Sequence, residues 1–186
     1  LTAITNGVLS IASIRNVGAG ASSLGAPATA ETGRIRMGYG ATGATLIYTG
    51  TGDTTDRILD LNGTTGGVTL NQSGTGPLTF TSDMATSGSG NKTLTLTGST
   101  SGSGAISGAI INSTGGKTAV SKTGSGTWTL SGNNAFTGDV SIAAGTLVLS
   151  GTNAQGQGAI TVGTTTGNAV MKILPGTMLT GGLGAG

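Results

Sequence analysis

The chain has 186 residues, of which 38 are Gly, three are Pro and none is Cys or His. Charged residues are only 8% and aromatics 3%, with a net charge of +2 scattered along the chain. This excludes a disulfide scaffold, most transition-metal centres, His- or Cys-based nucleophilic triads and a clustered basic face for nucleic acid. Hydrophobic residues are 35% and evenly spaced, with no run near the ~18 residues of a membrane helix. Few aromatics and many small aliphatics predict a thin, extended core.

Apolar residues recur two apart, the spacing of one face of a β-strand. From the first residue onward the pairs are Leu9/Ile11, Ile35/Met37, Leu46/Tyr48, Leu59/Leu61, Val68/Leu70 and Leu78/Phe80. They continue as Leu94/Leu96, Trp128/Leu130, Val140/Ile142, Leu147/Leu149, Ile160/Val162 and Met171/Ile173. Gly, Asn, Ser and Asp lie between them. Short strands with small polar turns and abundant Thr predict an all-β chain, a right-handed parallel β-helix (β-solenoid). About three short strands per coil and roughly eight coils are expected. The whole chain, 1–186, is expected to be one solenoid segment. Residues 15–33 show no alternation and are expected to loop out of the stack, where binding function tends to reside.

Gly38-Tyr-Gly-Ala-Thr-Gly43 matches a dinucleotide-binding string, but a strand follows it where that motif needs a helix. Asp53, Asp56 and Asp60 form the densest acidic cluster. Paired carboxylates there could serve glycan hydrolysis. The ordinary expectation is solvated turn carboxylates ion-paired with Arg57. A Ser-Lys dyad of Ser121 with Lys117 or Lys122 would lack an oxyanion site. Trp128 is expected in a core layer, with a sugar-stacking platform as the alternative. No catalytic residue, cofactor or metal is assigned.

Gly74-Thr-Gly-Pro-Leu-Thr-Phe-Thr81 aligns with Gly124-Ser-Gly-Thr-Trp-Thr-Leu-Ser131. A looser copy runs from Gly88 to Thr97, with two extra residues before its apolar pair. Residues 122–149, beginning Lys122-Thr-Gly-Ser-Gly-Thr-Trp-Thr-Leu-Ser-Gly-Asn-Asn, closely resemble the autotransporter-associated β-strand repeat, with Phe136 in its aromatic place. The resemblance implies a parallel β-helix exported to the bacterial surface, without catalytic or ligand residues. The ending from Leu179 to Gly186 lacks the strands of a membrane barrel, so no membrane insertion by this segment is expected.

The start has neither the basic region nor the apolar core of a signal peptide, and both ends look like the middle of a pattern. Leu1, Ile4 and Leu9 at one end, and Met178, Leu179 and Leu183 at the other, are expected to meet neighbouring coils. The expected role is an extracellular structural module, a spacer or repeating unit of a surface fibre. Its partners would be identical units or flanking coils stacked head to tail. An adhesin passenger binding a glycan or surface is the second reading, and a polysaccharide-degrading enzyme the third.

Overall fold

The computed structural model describes residues 1–163 and 168–179. The chain winds as a parallel β-solenoid of about six turns with almost no helix. The first coil holds β1 (Thr2–Ile4) and β2 (Gly7–Ile11), followed by one short helix, α1 (Ala30–Gly33). The second holds β3 (Ile35–Met37), β4 (Ala44–Tyr48) and β5 (Asp53–Thr55), and the third β6 (Leu59–Leu61), β7 (Val68–Gln72) and β8 (Leu78–Phe80). Later coils contribute two strands each: β9 (Lys92–Gly98) and β10 (Ser103–Ile106), then β11 (Thr118–Lys122) and β12 (Thr127–Leu130). The last are β13 (Val140–Ile142) with β14 (Gly145–Leu149), and β15 (Ile160–Val162) with β16 (Ala169–Ile173).

Each strand pairs in parallel with the strand one coil away, giving sheets of three, six and seven strands. In the seven-stranded sheet the register is continuous. Leu46 faces Leu70, Leu70 faces Leu96, Leu96 faces Lys122, Lys122 faces Ile142 and Ile142 faces Val162. Inward side chains therefore stack in columns, and the core is a thin ribbon of Leu, Ile, Val and Met. Outward positions of the same strands carry Thr45, Thr69, Thr95, Ser121, Ser141 and Thr161. β-branched Thr suits this pleated, half-buried surface.

Two expectations need correction. The seven coils, about six full turns from first strand to last, fall short of the eight coils expected, because coil length varies. Hydrogen-bonded partners on adjacent coils lie 20 residues apart at Asn134–Ala154 and 26 at Thr81–Thr55. They lie 38 apart at Thr49–Ile11, where the segment between β2 and β3 intervenes. Nor does every coil carry three strands. The three-stranded sheet ends at β6, beyond which a single bridge joins Asp60 to Ala85. Further along, that side of the stack is filled by buried Met84, Ile110 and Phe136. Buried Asn134 replaces strand pairing there. It accepts the Ile110 amide at 2.8 Å and donates to the Ala154 carbonyl at 2.6 Å, joining three coils.

The apparent copies also resolve. Leu78 and Trp128 both stand opposite Gly104, so the two closely aligned segments are two coils apart. The looser copy, containing Leu94 and Leu96, belongs to β9 in a different sheet. Its two extra residues reflect a different side of the coil.

Candidate functional site

The charged residues are few, and the structure places most of them between coils. Every aspartate accepts a backbone N–H from an adjacent coil or from the segment between β2 and β3. Asp53 takes Ile14 at 3.1 Å, Asp56 takes Val17 at 2.7 Å, and Asp60 takes Ser87 at 2.8 Å. Asp83 takes Ala109 at 2.7 Å and Asp139 takes Ala159 at 3.1 Å. A carboxylate accepting a backbone N–H makes a charge-assisted bond, stronger than a neutral one. These groups staple the stack.

The expectation for Asp53, Asp56 and Arg57 is therefore corrected. Asp53 lies in strand β5 rather than in a turn, and its carboxylate also accepts the Tyr48 hydroxyl at 2.8 Å. Burial, with this bond to Asp53 adding to it, pushes the Tyr48 phenol up to about 12. Arg57 is fully buried and turns away from ion pairing. Its guanidinium donates to the carbonyls of Arg15 at 3.0 Å, Leu24 at 3.1 Å and Gly25 at 2.9 Å, and to the Ser22 hydroxyl at 3.2 Å. The planar, multi-donor fork of Arg fits several carbonyls at once. Residues 15–33 are thus held against the stack by Asp53, Asp56 and Arg57 together. Asp60 is buried elsewhere, beside Arg34 at 3.6 Å and Arg36 at 3.5 Å. The three carboxylates share no hydrogen-bond partner, each being engaged with a different backbone N–H.

Two lysines act like Arg57. Lys92 is buried and donates to the carbonyls of Gly63 and Ser89. Lys122 is buried and donates to Thr123 at 2.7 Å, Gly124 at 2.9 Å and Ala144 at 3.0 Å. Burial lowers the affinity of both ammonium groups for their proton, taking Lys122 down to about 8. Neighbouring residues on a strand face opposite sides. Ser121 therefore faces outward while Lys122 reaches inward, and they form no dyad. Trp128 is fully buried with its indole N–H on the Thr97 carbonyl at 2.8 Å, which removes the sugar platform. Among the described residues, no His, Cys, Asp or Glu cluster is placed to hold a metal ion.

The end residues differ from one another. Leu1 is 59% exposed, Leu9 is half-buried and Ile4 is buried in the first coil. Met178 is 63% exposed and bridges to Thr152, while Leu179 packs partly on the core. Leu183 lies outside the described residues. The column running through Leu70, Leu96 and Ile142 is buried until its last member, Val162, which is 41% exposed. The column through Leu130 and Leu149 likewise ends at Ile173, 42% exposed.

Stacked parallel coils, stapled by aspartates and internally clamped by cations, define a parallel β-solenoid. Residues 120–149 match the family described as the passenger-associated-transport-repeat. That segment contains the Lys122 clamp, the turn through Gly124 and Gly126, buried Trp128, the Asn134 bridge and Phe136. A repeat of this kind points to a structural module of a secreted or surface protein. No curated protein and no solved structure was found to match the chain. Among the described residues, no helix is long and apolar enough to cross a membrane.

Proposed function

We propose that the chain is a rod-forming module of a bacterial surface or extracellular protein, a spacer or fibre unit lengthened by adding coils end to end. The carrying observation is the exposure of Val162 and Ile173 at the end of columns that are buried from Leu46 and Thr55 onward. β15 and β16 are edge strands at this face, with backbone groups on one side open to a further strand. A coil placed there would cover both side chains and continue both sheets.

The other end offers a matching edge at β2, where Leu9 begins the column that Val162 ends. Head-to-tail stacking through these edges does not close on itself and gives an open filament. The charges support a structural role, because aspartates, Arg57, Lys92 and Lys122 are engaged in joining backbone segments.

Electron microscopy and light scattering of the purified chain, with and without Val162→Lys and Ile173→Lys, test this reading. Rods that lengthen with concentration and shorten in the double variant are expected. A wild-type chain that remains monomeric at every concentration, or one whose association ignores the substitutions, would sink the filament form.

A further inference from the structure

We propose that the turn carrying Tyr39 is a contact site for a neutral polysaccharide. The inference rests on display of the module at a surface, and is independent of stacking.

Tyr39 is the one aromatic side chain left in solvent. It is 69% exposed, whereas Tyr48, Phe80, Trp128 and Phe136 are buried. Its turn joins β3 to β4, and the backbone beneath it is tightly fixed. Gly38 and Gly40 adopt φ of 86° and 53°, values that favour glycine. Tyr39 and Thr42 exchange backbone hydrogen bonds at 3.4 and 3.0 Å. The Gly40 carbonyl accepts the Thr64 N–H of the next coil at 2.7 Å. The phenol hydroxyl has no hydrogen-bond partner among the described residues. A rigidly presented Tyr offers broad amphipathic contact area at low entropic cost.

The neighbouring turns supply the polar half of the site. Thr64 and Thr65 form the tip of the next coil at this corner. Ser89 and Thr114 lie on the two coils after it, joined where Gly90 donates to the Thr114 carbonyl at 3.2 Å. All four are exposed, and their hydroxyls have no partner among the described residues. The turns 38–43, 62–67 and 86–91 contain no charged residue, and the turn carrying Thr114 reaches a charge only at exposed Lys117. An exposed aromatic side chain on the same corner of the stack as uncharged hydroxyls complements a sugar, which has an apolar C–H face and a hydroxyl rim. Successive coils are about 4.8 Å apart, on the order of one pyranose ring. An extended polysaccharide can therefore meet several turns at once.

Affinity electrophoresis tests the site, using gels containing hydroxyethyl cellulose, laminarin, xyloglucan or glucomannan, with alginate as the anionic comparison. The wild-type chain should be retarded in at least one neutral gel. Tyr39→Ala should weaken that binding at least ten-fold, while Tyr39→Phe and Tyr39→Trp retain it, all with unchanged melting temperature. Retardation in no neutral gel, retardation by alginate alone, or wild-type binding by Tyr39→Ala would overturn the proposal. Val162→Lys should leave retardation intact whether or not it disrupts stacking, so the two readings fail separately.

Discussion

Gly104 and Trp128 stand opposite each other on β10 and β12, and the indole fills the space a side chain on Gly104 would need. A Cβ on Gly104 would come within 2.5 Å of the ring atoms Cε2 and Cε3. Trp128 is fully buried and anchored to the Thr97 carbonyl, so it has little freedom to retreat. Gly104→Ala should destabilise the chain by about 1–3 kcal/mol, the usual cost of overpacking. For a chain of this size that lowers the melting temperature by about 2–4 °C per kcal/mol. The same substitution in a Trp128→Leu background should cost less, and calorimetry of the four chains measures the coupling. Equal costs in both backgrounds would show that the indole is not the obstacle.

The same pair marks the limit of what the sequence discloses. Each apolar pair two residues apart does lie in a strand, because inward positions in a solenoid must be apolar and alternate with outward ones. β10 escapes that reading because its inward position opposite Trp128 is Gly104. β5 escapes it because Asp53 and Thr55 stand where the next coil has Leu78 and Phe80. The Arg57, Lys92 and Lys122 clamps are still less legible. Their main partners are main-chain carbonyls, which leave no residue-type signature. A trace does exist: Gln72 precedes Gly74 and Gly76 as Lys122 precedes Gly124 and Gly126. Gln72 donates to the Gly76 carbonyl, so both side chains bond within the turn that follows them.

The aspartate staples separate charge from hydrogen bonding. Asp83 and Asp139 each accept one amide from the next coil. Asp→Asn at either position preserves an acceptor, whereas Asp→Ala leaves the amide to water, since both bonds are exposed. Alanine should cost about 0.5–1.5 kcal/mol, the net value of one hydrogen bond, and asparagine less than half of that. Thermal melts in low salt and 0.5 M NaCl provide the check. If asparagine proves as costly as alanine at both salt concentrations, the carboxylate does more than accept a hydrogen bond.

Arg57 should govern how firmly residues 15–33 are held, rather than whether the solenoid forms. Arg57→Ala removes the donors to Arg15, Leu24 and Gly25 together. Lysine cannot reproduce the fork, so Arg57→Lys should rescue only in part. Limited proteolysis should cut between Ser22 and Thr29 at least ten times faster in Arg57→Ala, with β7 and later strands still protected from hydrogen exchange. Global loss of protection would instead make Arg57 part of the core that all coils share.

Lys122 gives the stack an unusual pH response. Burial takes its ammonium from the ordinary 10.5 down to about 8, while the unfolded chain keeps the ordinary value. Between pH 8 and 10.5 the unfolded state therefore binds more protons than the folded state, and stability rises with pH. Lys92 is shifted in the same direction by burial and adds to the rise. Tyr48 opposes it at the upper end. Its phenol is raised from 10 to about 12, so from pH 10 upward the unfolded state loses a proton that the folded state retains, and stability falls. The melting temperature should accordingly climb from pH 8 and turn over near pH 10. Lys122→Met should flatten the climb and, by leaving the Thr123, Gly124 and Ala144 carbonyls without their donor, lower stability at pH 7. Tyr48→Phe should keep the climb and delay the turnover. A melting temperature that decreases steadily from pH 8 in the wild-type chain would mean that the three carbonyls hold the Lys122 proton strongly enough to cancel the effect of burial.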